Sequence, residues 1–246
     1  MEISCVIPSF ENLELLADCL ASVMAQRDAD LEIVVTDDSR DSLVRDHVAG
    51  LIQAFPAVRY LQGPRGGNPV DNWNHGLSQA RGALRLLVHH DEVLLDRRYL
   101  RRAIDAMADP GVAAVVGGVA VEGASRFVLA AGAARMLGSP RWVLPAINWI
   151  GPTAAFVFRQ DHRFDPALVQ LADVEFYRRI LATGRMKRLA GVCVGSLGRH
   201  AAQITARIDP RALALAELRD LAGRARPSIT PIEHAVLAAW WRLRSW

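Results

Sequence analysis

Residues 71–95 read DNWNHGLSQARGALRLLVHHDEVLL, and the fold turns on how this stretch is read. Helical spacing from about Val70 to Ala80 gives way to ALRLLV at 83–88, a short run continuous in apolar character. A strand without polar alternation is buried on both faces, as in a parallel sheet covered by helices. His89, His90, Asp91 and Glu92 follow at once, so acidic side chains stand at the carboxyl end of a buried strand. That is where open α/β sheets bind ligands.

The same alternation extends in both directions. EISCVIP at 2–8 reads as a strand, Asn12 as a helix N-cap, and Leu13, Leu16, Leu20, Val23 and Met24 as one helix face. LEIVVTDDS at 31–39, a helical stretch from Asp41 to Ala54 and VRYLQG at 58–63 repeat the unit. Beyond Glu92 come a helix from Arg97 to Met107 and the strands VAAVVGGVAV, AAFVFR and RLAGVCVG, with a helix at 171–184 ended by Gly184. Residues 123–148 carry no clean period and read as a loop or lid. The tail from Pro210 is helical, breaks at ARPS, and restarts at Thr230-Pro231-Ile232-Glu233, a capping box with proline in the first helical position. The expected organisation is an α/β domain over residues 1–206 with a helical appendage over 207–246.

Composition bounds the function. The chain has 246 residues, 51% hydrophobic and 22% charged, with a net charge of +3, which excludes a disordered chain and an electrostatically driven nucleic-acid binder. Cys5, Cys19 and Cys193 are far apart and fit neither a disulfide framework nor a zinc site, so a reducing cytosol is expected. The start, MEISCVIPSF, lacks the basic leader and long apolar run of a signal peptide, and no stretch approaches the about 18 apolar residues of a membrane span.

Carboxylates fall after strands at Asp37-Asp38 and Asp91-Glu92 and open a helix at Asp173 and Glu175, and His200 follows the last strand. Each has an ordinary structural reading as a cap or turn residue. No Gly-x-Gly-x-x-Gly or P-loop is present, so a phosphate would not be held by a glycine-rich loop. A divalent cation bridging carboxylate and phosphate oxygens is the alternative, with Asp91 the best-placed ligand.

With IPSFEN at 7–12, VVTDDS at 34–39, the 71–95 stretch, IGPTAAFVF at 150–158, LADVEFYRRI at 171–180 and GRHAAQIT at 198–205, the sequence resembles the inverting family 2 glycosyltransferases of GT-A fold. The resemblance implies transfer of a sugar from a nucleotide-diphosphate donor to a hydroxyl of a glycan or lipid-linked acceptor, with Mg2+ or Mn2+ as cofactor, in cell-surface polysaccharide synthesis. It places Pro8, Phe10 and Glu11 in the nucleotide pocket and Asp37 or Asp38 on the base, although Asp38 could equally cap the next helix. Asn72 and Gly76 would shape the wall by the diphosphate, with Arg81 near it, unless Gly76 is a close-packing glycine. His89 stands in the ribose position of the usual Asp-x-Asp motif and Asp91 in the metal position, with Glu92 replacing a final aspartate. Asp173 is the implied catalytic base and Glu175 a second candidate; His200 would lie by the metal.

The histidine and glutamate substitutions also suit a subunit of this fold that binds nucleotide sugar with impaired catalysis. A nucleotidyltransferase would need a glycine- and lysine-bearing loop after the first strand, which is absent. In the last helix Ile232, Val236, Trp240 and Leu243 share a side, with Trp241, Arg242, Arg244 and Trp246 at the end. That pattern suits either a peripheral contact with the inner face of the membrane or packing on the domain or on a second copy.

Overall fold

The computed structural model describes residues 1–121, 141–197, 209–225 and 228–243. One eight-stranded sheet runs in the order β3-β2-β1-β4-β7-β6-β8-β5. Its first half, β3 (Val58–Gln62), β2 (Leu31–Asp37), β1 (Ile3–Ser9) and β4 (Leu84–Leu87), is parallel, in keeping with the apolar runs of β1, β2 and β4. The second half is mixed. β7 (Phe156–Arg159) is antiparallel to both β4 and β6 (Val112–Val121), β6 is parallel to β8 (Arg185–Ser196), and β5 (Glu92–Leu94) is antiparallel to β8. β5 is unanticipated, because three residues are too few to show a period.

Side chains alternate across β1, which separates two cores: Ile3, Cys5 and Ile7 face one side and Val6 the other. On the first side lie α1 (Leu13–Met24), α2 (Leu43–Ala54) and α4 (Tyr99–Met107), contributing Leu16, Leu20, Val48 and Leu100. On the second lie α3 (Pro69–Gln79), α5 (Ala172–Ile180), α6 (Pro210–Gly223) and α7 (Pro231–Leu243), contributing Leu77, Phe176, Leu218 and Leu237. Asn12 caps α1 by accepting from the Leu15 amide at 3.2 Å, and Asn68 caps α3 ahead of Pro69.

The C-terminal helices share the second core instead of hanging from it. Glu217 of α6 accepts from the Val169, Gln170 and Leu171 amides at 2.7, 3.0 and 2.8 Å, immediately before α5. Glu233 of α7 pairs with Arg178 of α5, and the Trp241 indole donates to the Pro145 carbonyl at 2.8 Å. The capping box is present: the Glu233 amide donates to Thr230 Oγ1 and the Thr230 amide to the Glu233 carboxylate. In α7 it is Leu237, Ala238 and Trp241 that are buried, while Ile232, Val236, Trp240 and Leu243 are exposed.

Helix α3 meets β1 and β2 with no room for a side chain at Gly76. A Cβ there would stand 2.5 Å from Val6 Cγ1 and 2.8 Å from Thr36 Cγ2, so the residue is a close-packing glycine. Gly76→Ala is expected to cost about 1–3 kcal/mol through overpacking, read as a lower urea midpoint with unchanged slope.

Candidate active site

The loop after β4 is held from below by Glu92. This carboxylate is 3% exposed and accepts from the His89 amide at 2.9 Å, the Thr153 amide at 3.1 Å, the Thr153 hydroxyl at 3.2 Å and the Ala154 amide at 3.0 Å. Burial and the neighbouring Asp91 push its pKa up to about 8, against the pull of those donors. His89, Asp91 and Glu92 each offer a ligand atom, all within 4.8 Å of one another. With Glu92 engaged by the backbone, Asp91 is the carboxylate of the three suited to a cation.

His89 lies against Trp73 of α3, ring centroids 4.8 Å apart, and Trp73 meets Phe164 edge-on at 5.3 Å. Burial lowers the His89 pKa, which favours the neutral ring at pH 7, and its buried Nε2 has no hydrogen-bond partner among the described residues. Facing this loop is Asp173, in the first turn of α5. Its Oδ1 accepts from the Val174 amide at 2.7 Å and its Oδ2 from Asn148 Nδ2 at 2.8 Å. Burial pushes the Asp173 pKa up to about 6, with the Val174 amide and His89 opposing and Glu92 reinforcing the shift. A carboxyl at that value is ionised at pH 7 and still basic enough to take a proton.

The other rim is formed by the ends of β1 and β2. Pro8 is buried in β1, whereas Phe10 is 47% exposed and Glu11 holds φ +47° while its carboxylate grips Arg40 in a bidentate pair. The Arg40 guanidinium lies 5.8 Å from the Phe10 ring centroid. Asp37 is fully buried and accepts from the Ser39 amide and the Tyr60 hydroxyl, both at 3.0 Å. Asp38, half-buried, accepts from the Arg65 amide at 2.7 Å. It does not cap the next helix, which begins at Leu43 behind Ser42.

The family model described as "Glycosyl transferase family 2" matches residues 4–154. The chain belongs to glycosyltransferase family 2. It is 33% identical over 100 residues to the GalNAc(5)-diNAcBac-PP-undecaprenol beta-1,3-glucosyltransferase of Campylobacter jejuni, covering 38% of this chain and 31% of that one. It is 29% identical over 199 residues to an uncharacterized protein of Mycobacterium tuberculosis, covering 73% of this chain and 61% of the relative. The matches thus span less than two thirds of either relative. Among solved structures, S. aureus TarS 1–349 in complex with UDP-GlcNAc superposes with a TM-score of 0.68 at 15% identity, covering 98% of this chain and 72% of TarS. The mannosyltransferase PcManGT of Pyrobaculum calidifontis, in complex with GDP-Man and Mn2+, gives a TM-score of 0.64 at 18% identity, covering 97% and 69%. These neighbours establish the GT-A fold of the chain.

Within that fold three expectations change. Arg81 stands before β4, at the opposite end of the sheet from the strand carboxyl ends, where its amide donates to Glu32 at 2.8 Å; it is not beside a diphosphate. Glu175, two residues along the helix from Asp173, points to another face and is bound by Arg179 through two 3.1 Å contacts. Asn72 is a buried strut, accepting from the Thr36 hydroxyl at 2.7 Å and donating to the Thr36 carbonyl at 3.1 Å, rather than a wall residue with polar atoms to spare. His200 lies outside the described residues, as does most of the 123–148 stretch. Trp73, Asn148 and Thr153 were not singled out from the sequence. Trp73 had a usable signal, an aromatic on the helix leading into the acidic strand; Asn148 sits where no period exists.

The raised carboxyl values have a consequence for stability. Glu92 binds its proton more tightly folded (about 8) than at the ordinary value of 4.5, so its stabilising contribution is complete below 4.5 and is lost as pH climbs through 8; Asp173 adds the same sign up to about 6. The metal-free chain in EDTA is expected to show a urea midpoint that falls between pH 5 and 8, and Glu92→Gln to flatten that fall.

Proposed function

We propose that this family 2 glycosyltransferase is a metal-dependent, inverting enzyme that moves a sugar from a nucleoside-diphosphate donor to a hydroxyl of a glycan or lipid-linked acceptor. The observation that carries the reading is the Asp173 carboxylate, fixed by two hydrogen bonds opposite the His89–Asp91 loop, with a pKa suited to a general base. Asp173 takes the proton of the acceptor hydroxyl as its oxygen attacks the anomeric carbon, and the carbon–phosphate oxygen bond breaks on the opposite face, which inverts the centre. Neutral His89 meets a donor hydroxyl through Nε2, and Phe10, Glu11 and Asp38 border the nucleoside.

The residues fit a hard divalent cation. Mg2+ and Mn2+ take oxygen ligands, typically one or two carboxylates with phosphate oxygens and water completing the shell, and Asp91 is the half-buried carboxylate placed to hold one. Such an ion, when bound, neutralises the charge of the departing diphosphate. The UDP-GlcNAc complex of TarS and the GDP-Man and Mn2+ complex of PcManGT support donor class and metal, and the undecaprenol-linked name of the Campylobacter relative supports a lipid-linked acceptor.

The same reading places the enzyme in cell-surface polysaccharide synthesis on the cytoplasmic face of a membrane. No helix among the described residues is long and apolar enough to cross a bilayer. Contact would come from the exposed Ile232, Val236, Trp240 and Leu243 of α7, an apolar stripe of the kind that beds into a lipid interface, a homo-oligomer being its other use. The double variant Ile232→Asp/Leu243→Asp is expected to leave the liposome fraction in flotation while keeping its melting temperature; equal flotation of both proteins removes the membrane contact.

A thermal-shift panel of UDP, GDP, dTDP and CDP with and without Mn2+ should give one nucleotide whose stabilisation needs the metal. Asp91→Ala is expected to lose that shift and turnover together. Asp173→Asn should keep the shift and lose turnover by about 10²–10⁴-fold, and wild-type turnover should rise with pH through about 6. Normal turnover in Asp173→Asn would refute the base assignment. A binding subunit with impaired catalysis, favoured by the engagement of Glu92, would bind nucleotide without releasing diphosphate from any donor.

A further inference from the structure

The turn at 148–151 is built around one side chain. Asn148 Nδ2 donates to Gly151 O at 3.0 Å and to Asp173 Oδ2 at 2.8 Å, and Asn148 Oδ1 accepts from the Gly151 amide at 2.9 Å. Both amide hydrogens are therefore used, and flipping the group would set its carbonyl against a carboxylate and against Gly151 O. Gly151, at φ +104°, allows the turn to close, and the Tyr177 hydroxyl of α5 also donates to Gly151 O at 3.3 Å. Asn148 is thus locked on the turn before it reaches Asp173. The other carboxylate oxygen is taken by the Val174 amide, so the two bonds fix the rotation of the Asp173 carboxylate about its own axis.

We propose that Asn148 is the positioning residue of the base, aiming the remaining acceptor capacity of Asp173 Oδ2 at the incoming hydroxyl. This rests on the reading of Asp173 as the base. A carboxylate accepts in several directions from each oxygen, and a neutral amide donor occupies one of them without taking the proton. The amide also favours the charged form of a buried carboxylate, opposing the desolvation that disfavours it. It does so beside His89 and Glu92, which also act on Asp173, and Asp91 in the loop between them.

The test uses the full metal-free chain and reads Asp173 directly, by carboxyl 13C NMR titration with the resonance assigned through Asp173→Asn. Asn148→Ala is expected to move the Asp173 midpoint up by about one unit, tenfold in proton affinity. Asn148→Asp, the same size and still able to accept from the Gly151 amide, is expected to give two coupled steps with one raised further. With Mn2+ and the nucleotide sugar that supports wild-type turnover, Asn148→Ala should lose at least about tenfold in kcat at pH 6, the gap narrowing at pH 9, with KM within twofold. A packing role alone would lower the melting temperature and leave the midpoint where it is. An unmoved midpoint in both variants overturns the proposal and leaves the base assignment standing; full turnover in Asp173→Asn overturns the base assignment and the proposal with it.

Discussion

The Glu92 carboxylate ties the loop after β4 to the turn before β7, because His89 on one side and Thr153 and Ala154 on the other all donate to it. The Thr153 and Ala154 donors are buried and the His89 amide is partly so, and an unmatched buried donor costs about 1–3 kcal/mol. The loop that carries His89 and Asp91 is therefore pinned at its far end while its middle stays at the surface of the sheet. The same bond from the His89 amide holds the start of the loop where the His89 ring lies against Trp73. A shorter aspartate at position 92 would have to approach the same donors from a different depth, so the glutamate is matched to this turn.

Much of this architecture was legible in the sequence. The parallel half of the sheet follows from runs such as LEIVV and ALRLLV, and the caps at Asn12 and Thr230 were visible as single residues with a known geometric role. The mixed half was less so. β5 is too short for periodicity, and the antiparallel entry of β7 depends on pairing with β4 and β6, which local pattern does not encode. Residues near the site divide the same way. Asp91 and Asp173 stand out because carboxylates at strand and helix ends are chemically conspicuous, whereas Asn148 acquires its role only when a turn far along the chain is brought to α5. Arg81 shows the converse error: the resemblance set it near the diphosphate, whereas the length of β4 separates it from the acidic loop.

A second lesson concerns which face of a helix the apolar residues mark. In α7 the sequence places Ile232, Val236, Trp240 and Leu243 together, and that set is the one left outside, while Leu237 and Trp241 fill the core. The helix is apolar on two sides, so its pattern alone could not say which side the domain takes. Trp241 decides it, since its indole nitrogen must find an acceptor when buried and does so at Pro145.

The tail is consequently not a module that can be traded between relatives. Glu217 and Glu233 brace the helix bearing Asp173, and Trp241 braces the segment leading to Asn148, so both partners of that contact are clamped by the last thirty or so residues. A chimera carrying a foreign C-terminus would itself have to supply a carboxylate for the 169–171 amides, an acid for the Arg178 guanidinium and a ring N–H for the Pro145 carbonyl.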